Sequence, residues 1–341
     1  MIYHKDIANL LSKYSTSTTP HLIIHGGHGY GKKTIVNAFI HHLYKKSPEP
    51  RLKITTILNS SKKPMEISYY ESDEFIQISP SEYNYQDKTV IQTIIKEMVR
   101  SKPILSMFGN KKEQVIKFIM ITDGDKLSRD AQAALRRTME TYSSNFRLIL
   151  ICNELSGLIE PIRSRCLCVR IPGFTDFEIE KRLKEILHIE NKFLDKEAID
   201  NIVISSAGNM RRAIVALENL CFKIQDRSNK RIKTQVYDFR MEWELTIDGI
   251  IKMMQYEQNC DTIMKVRNEL YILLNSCIPA DIILIELVRK LLKTSSKDTF
   301  MKISESAAIY DERLKIGSKS ILHLEGFVAT ILNILNDEKY N

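Results

Sequence analysis

Apolar positions recur along this chain with two alternating periods, and the changes between them mark its parts. "HLIIH" (21–25) is a short continuous apolar run that stops at glycine, the pattern of a buried strand. From Thr34 to Tyr44 the period becomes helical, with Ile35, Val36, Ala38, Phe39 and Leu43 apolar, and Pro48 and Pro50 close the unit. Residues 52–58 and 75–79 predict two further strands. Gln86 to Arg100 predicts an amphipathic helix with Val90, Ile91, Ile94, Ile95 and Met98 on one face. "VIKFIMIT" (115–122) and "RLILICN" (147–153) are the most strand-like runs. "SRDAQAALRRTMETYSS" between them predicts a helix, with Ser128 as its cap and Asp130 in its first turn.

Strand, glycine loop, helix, strand, helix, strand is the order of a doubly wound α/β domain, here over residues 1–172. "VRIPGFTD" (169–176) reads as its exit, with Pro172 and Gly173 marking a hinge. A helical region follows from Asp176 to about Phe222, broken at Ala207-Gly208-Asn209. "KIQDRSNKRIKTQ" (223–235) is polar and basic, a linker or a solvated loop, and completes a second part over 173–236. From Trp243 onward only helical spacing remains, so 237–341 predicts a third, helical domain. The fold class is α/β plus all-α. In the last domain Ile272, Leu273, Leu274, Ile282, Ile283, Ile285 and Leu287 occupy several faces. They fit either a monomeric core or burial shared with another chain.

Composition narrows the picture. A chain of 341 residues has room for two or three domains, and only 12 glycines and 9 prolines favour long helices. The net charge of +8 is compatible with a polyanionic partner. The six cysteines form no CxxC pair, which argues against a metal site. They are expected to be reduced and mostly buried, Cys166 and Cys168 among them. No signal pattern and no apolar run of about 18 residues is present, so a cytosolic or nuclear location and no membrane partner are expected.

The candidate chemistry begins at Gly26. Gly26, four residues, Gly31 and Lys32 match the phosphate-loop core, so Gly26, Gly27, His28, Gly29, Tyr30, Gly31 and Lys32 form an expected phosphate cradle. Small residues let backbone N–H groups converge on phosphate oxygens, and the helix that follows adds its positive end. Lys33 stands where a hydroxyl should hold magnesium, and an ammonium has no lone pair for a metal. Thr34 lies about 100° further round the helix. After "FIMI", Thr122 occupies the slot of a metal-binding aspartate and Asp123 that of a water-orienting glutamate. Two metal-handling positions are therefore altered together. ATP or ADP is expected to bind, magnesium is not expected at this site, and hydrolysis by this chain alone is expected to be weak or absent. An active stand-alone P-loop ATPase acting on DNA is the alternative.

Longer motifs now fit together. "EPIRSRC" (160–166) carries a Ser-Arg-Cys box, "AQAALRRTMETYS" (131–143) follows the acidic motif, and "GNMRRAI" (208–214) sits in the helical region. With "LLNSCIPADIILIEL" and "YDERLKIGSKSILHLEGFVA", the chain resembles the small subunits of replication factor C, the clamp loader, over nearly its whole length. The branch it resembles carries the Gly-Lys-Lys-Thr loop. The resemblance implies an AAA+ P-loop domain, a helical lid and a C-terminal helical collar. It also implies assembly with other replication factor C subunits into a nuclear heteropentamer that loads the sliding clamp onto primer–template DNA in DNA replication. Arg165 becomes the expected arginine finger, acting in trans on a neighbour's nucleotide, with Arg163 as the rival. Asn153 matches the sensor-1 position and Arg211 the sensor-2 position. Lys33 and Thr34 complete the expected nucleotide contacts.

For Arg136 and Arg137 the resemblance suggests an interface or coupling role, while Glu140 offers a local partner that would make them ordinary surface charges. Lys88, Gln92 and Lys96 share one side of a helix that meets DNA in the family, although an ordinary solvated face fits any one of them slightly better, and Gln92 stands where sister subunits carry arginine. Family members usually begin with a Trp/Val-Asp-Lys-Tyr-Arg-Pro-type segment that helps enclose adenine. This chain starts near "MIYHKDIANLL", so its base pocket is expected to be open, rebuilt from elsewhere or empty.

Overall fold

The apolar runs become the interior strands of one seven-stranded sheet. The strands are β1 (His21–His25), β2 (Arg51–Leu58), β3 (Pro64–Glu71), β4 (Phe75–Ile78), β5 (Lys117–Ile121), β6 (Phe146–Cys152) and β7 (Cys166–Arg170), in the order β2-β3-β4-β5-β6-β1-β7. β4 through β7 run parallel, while β2 and β3 form an antiparallel extension of the β4 edge. The computed structural model describes residues 3–45, 50–58, 64–72, 75–100, 116–142, 146–225, 241–256, 258–294 and 296–340. Two compact units divide the chain, Met1–Tyr237 and Asp238–Asn341.

Strand periodicity feeds two cores in the first unit. Along β6, Leu148, Leu150 and Cys152 face one core while Ile149 and Ile151 face the other. The first core is closed by α3 (Asp87–Arg100) and α4 (Arg129–Thr141), through Val90, Ile91, Ile94, Ile95, Leu135 and Met139. The second is closed by α1 (Lys5–Ser12) and α2 (Lys32–Tyr44), through Leu11, Ile35, Val36, Phe39 and Ile40. A parallel sheet covered on both faces is the doubly wound arrangement that the strand–helix alternation predicts.

Polar groups fix the helix starts. Ser128 caps α4, its Oγ accepting from the Ala131 amide at 3.1 Å. Asp87, 2% exposed at the start of α3, accepts from the Ser128 amide at 2.7 Å, the Ser128 hydroxyl at 2.9 Å and the Lys88 amide at 2.7 Å. Those bonds join α3 to α4. After the short α5 (Glu160–Arg163) and β7, three helices follow among the described residues: α6 (Asp176–Ile189), α7 (Lys196–Ser206) and α8 (Met210–Gln225). Thr175 and Glu178 form a reciprocal capping box at α6.

Some expectations need correction. β3 pairs with the whole of β2, an edge hairpin in which Met65, Ile67 and Tyr69 alternate with Glu66, Ser68 and Tyr70. The segment entering 169–176 is not only an exit, because Cys166–Arg170 is the strand β7. Cys168 does not pack inside: β7 is the sheet edge, and the thiol projects from its exposed side. Cys277 is exposed as well, Cys166 and Cys221 are half-buried, and Cys152 is fully buried. The basic stretch 223–235 falls largely outside the described residues.

The second unit is helical throughout its described residues: α9 (Glu242–Tyr256), α10 (Cys260–Asn275), α11 (Ala280–Thr294), α12 (Lys297–Ile316) and α13 (Ser320–Tyr340). Ile247, Ile250, Leu270, Leu273, Ile283, Leu287, Phe327 and Ile331 form its core. The ambiguous apolar set divides here. Leu273, Ile283 and Leu287 are buried, whereas Ile272 is 54%, Ile282 40% and Ile285 52% exposed.

Candidate nucleotide-binding site

The carboxyl ends of β1, β5 and β6 carry the three segments that the sequence singles out, and in open α/β sheets ligands bind at that rim. The loop Gly26–Gly31 joins β1 to α2. Its glycines answer to close packing. At Gly26, where φ is +151°, a Cβ would collide with the carbonyl oxygen of Ile171. At Gly29, where φ is +74°, it would strike the Asn209 side-chain amide. α2 starts from Gly31 with no side-chain cap, so its first-turn N–H groups face the loop.

Lys32 is the hub. Its ammonium donates to the carbonyls of Gly26 at 2.6 Å and Gly27 at 2.8 Å, and to Asn153 Oδ1 at 2.8 Å. Burial lowers its pKa, the charges of Asp125 and Asp123 oppose that shift, and Arg211 adds to it. Asn153, just past β6, is fixed in turn by Asp125, whose Oδ2 accepts from the Asn153 amide at 3.1 Å. The other Asp125 oxygen is buried without a hydrogen-bond partner. Thr122 is committed elsewhere: its hydroxyl donates to the Ile78 carbonyl at 3.2 Å, beside the Thr122 amide bond to the same oxygen at 3.0 Å. Lys33 and Thr34 lie exposed on α2, as does His28 in the loop. Among the described residues no three His, Cys, Asp or Glu side chains gather. The glycine cradle and lysine suit a phosphate.

Two further walls stand beside the loop. Asn209 starts α8, accepting from the Arg212 amide at 3.1 Å, and lies against Gly29. Phe174 is held by its amide bond to the Gly208 carbonyl at 3.1 Å. Its ring meets Tyr3 edge-on at 5.6 Å and His4 at 4.7 Å. The Tyr30 ring covers both Gly27 and Gly173. His4 Nε2 and the Tyr3 hydroxyl are buried without partners. Burial lowers the His4 pKa, against the pull of Glu178 and a hydrogen bond to the Tyr30 backbone.

The second corner lies between α5 and β7. Arg165 donates through Nη1 to the Pro161 carbonyl at 2.8 Å and through Nη2 to Glu140 Oε1 at 2.8 Å. The same Glu140 oxygen pairs with Arg136 Nε at 3.2 Å. Arg163 and Arg137 are exposed. Burial pushes the thiols of Cys152 and Cys166 up to about 12, which leaves both as protonated packing groups.

Comparison with known proteins decides the family. The family described as "Replication factor C subunit 3, C-terminal domain" matches residues 243–339, and "DNA polymerase III, delta subunit" matches residues 3–175. Replication factor C subunit 3 of Arabidopsis thaliana is 35% identical over 340 residues, covering 98% of this chain and 93% of its own length. Subunit 5 of Schizosaccharomyces pombe is 37% identical over 97% and 92%, and human subunit 3 is 34% identical over 97% and 91%. The chain belongs to the replication factor C subunit 3/5 family. A Thermotoga maritima structure titled RuvB Holliday junction branch migration motor is 14% identical, covers 78% of this chain and 81% of its own, and has a TM-score of 0.51. That likeness extends to the fold, which is the AAA+ P-loop fold.

In this replication factor C chain the expected site residues fall into three groups. Gly26 to Lys32 and Asn153 come together directly, and Arg211 lies close enough for its charge to reach Lys32. Arg165 stands apart, in a pair with Glu140. On α3, Lys88 is exposed and Gln92 half-buried, while the Lys96 side chain lies outside the described residues. Asp125, Asn209 and the Tyr3–His4–Phe174 cluster escaped the sequence reading. Asn209 carried one usable signal, an asparagine directly before a helix.

Proposed function

We propose that this chain is a nucleotide-holding, weakly hydrolysing or non-hydrolysing subunit of a replication factor C clamp loader. The observation that carries this reading is the division of labour at the sheet rim. Lys32 and Asn153 converge on the glycine loop, while Thr122 spends its hydroxyl on the β4 backbone. Gly26 to Lys32 hold the phosphates of ATP or ADP, with Asn153 and Arg211 at their outer side. Tyr3, His4 and Phe174 supply a wall for the base. Lys33 and Thr122 leave magnesium without its usual ligands, so the bound nucleotide is retained rather than turned over. Residues 173–236 act as the lid and 237–341 as the collar that joins other replication factor C subunits.

In that nuclear heteropentamer Arg165 is the arginine finger, placing its guanidinium beside the γ-phosphate of an adjacent subunit as charge develops there. Such fingers account for roughly 10³–10⁵ in rate. The assembly's other partners are the sliding clamp and primer–template DNA, the latter met in part by Lys88, Gln92 and Lys96 on α3.

The test uses the purified full-length chain and its Lys32→Ala variant. Nucleotide released by denaturing the wild-type protein is identified and counted, and turnover is measured with magnesium present. Retention with background turnover is expected, and Lys32→Ala should bind roughly 10–100-fold more weakly, the worth of lost charge-assisted bonds. Rapid turnover by the isolated chain, abolished in Lys32→Ala, would instead establish a stand-alone ATPase.

A further inference from the structure

We propose that Glu140 is a positioning residue that holds Arg165 back from a neighbouring nucleotide while the subunit stands alone. This rests on the reading of Arg165 as a finger and adds the contact that governs its release. Both terminal nitrogens of Arg165 are engaged within its own chain. Nη1 donates to the Pro161 carbonyl and, at 3.4 Å, to the Ser164 hydroxyl, and Nη2 pairs with Glu140 at 2.8 Å. A guanidinium paired with a carboxylate offers a phosphate less of its charge, and its fork is already occupied.

Release is easy because Glu140 has a second partner. Arg136, one helical turn earlier on α4, donates to the same Oε1 at 3.2 Å. Arg136 is also the main reason that the Glu140 carboxyl titrates below its ordinary value, ahead of Arg165. When Arg165 turns to a phosphate, Glu140 keeps a counter-ion. All three side chains are solvent-exposed, so the latch is weak, reversible and screened by salt. A polyphosphate, carrying several charges, outcompetes it only when a neighbouring subunit brings one within reach. Arg136 thereby gains a role distinct from Arg137, whose side chain has no ion-pair partner among the described residues.

The test is made in the assembled complex, reading ATP hydrolysis at the adjacent subunit without DNA, at low salt. Glu140→Gln keeps the shape and removes the charge, and Glu140→Ala removes both. Each is expected to raise the basal rate roughly two- to fivefold, the scale of one exposed ion pair. The gain should shrink toward unity at high salt, and Glu140→Asp should restore part of the restraint. Arg165→Ala should abolish the rate, and Arg165→Ala/Glu140→Gln should match Arg165→Ala alone. Structural damage at the end of α4 would lower the rate, so the direction of change separates the two. If Arg165→Ala lowers the rate but neither Glu140 variant raises it, the latch is wrong and the finger stands. If Arg165→Ala changes nothing, both are wrong.

Discussion

The two compact units use their side chains in opposite ways. In Met1–Tyr237, several polar groups pair internally: Lys32 with the loop and Asn153, one Asp125 oxygen with the Asn153 amide, and Asp87 with Ser128. In Asp238–Asn341, the core is apolar apart from Glu244, Thr262, Thr299 and Ser306, and large apolar side chains remain on the surface, including Ile272, Ile285, Met301 and Ile316. A buried polar network costs free energy unless every member is matched, so it fixes geometry. Exposed apolar area costs free energy until something covers it, so it favours association. On the proposed reading, the first unit's polar groups hold a nucleotide and the second unit's exposed apolar side chains are covered by another subunit.

The strongest way to break this comparison is to put charge on the two kinds of apolar position in the second unit. Ile272→Asp with Ile285→Asp should leave the chain's own unfolding free energy within about 0.5 kcal/mol, as for ordinary surface changes. Association with other replication factor C subunits should fall roughly 10²–10³-fold, because buried interface anchors cost about 2 kcal/mol or more each. Leu273→Asp or Ile283→Asp, at buried positions, should instead unfold the unit. Denaturant melts and sedimentation of the mixed subunits read the two effects separately. Equal loss of fold in both pairs would remove the distinction.

That division marks the limit of what the sequence displays. Ile272 and Leu273 are neighbours of the same chemical class, and only the packing of five helices decides which one faces outward. Local pattern was sufficient where the signal is local: β1, β5 and β6 as apolar runs, Ser128 as a cap, the glycine loop opening α2. It failed for β3, whose alternation gains meaning only from pairing with β2, and for Cys168, whose exposure depends on β7 being an edge. At the site, Lys32 was legible from a motif. Asp125 was not, because its partner amide lies 28 residues away. Nor was the Glu140–Arg165 pair, which only the return of the chain through α5 creates.

A second, smaller effect sharpens the comparison through pH. His21 Nδ1 accepts from the Leu148 amide at 3.0 Å, and burial, then Arg147, lowers its pKa from 6.5 to about 4. The neutral ring is what the fold requires. Stability from it is complete above pH 6.5 and declines below that, as the unfolded chain takes up the proton first. It levels off below pH about 4. The full loss is on the order of 3 kcal/mol. The second unit has a single histidine, His323. Melts recorded between pH 7 and 4 should therefore show this slope in the first unit, and His21→Gln should flatten it. An unchanged slope in His21→Gln would assign the pH response to other groups instead, His4 and His25, whose pKa values are also lowered by burial, or the carboxylates.

The smallest effect comes from one glycine, and it tests the comparison at its finest grain. Gly26 and Gly29 in the first unit have no room for a Cβ, whereas Gly249, inside α9, has nothing within 4 Å of where one would stand. Its backbone is helical, so alanine meets no strain there, and glycine within a helix is entropically costly. Gly249→Ala should stabilise the full-length chain by about 0.5–1 kcal/mol in denaturant melts. The same substitution separates two uses of that open space. If solvent occupies it in the assembly, Gly249→Ala associates with its partners as the wild type does. If a partner's backbone comes close there, the added methyl weakens association while still stabilising the separate chain. Opposite signs in those two measurements would place Gly249 within the covered surface, beside Ile272 and Ile285 in purpose though it carries no side chain.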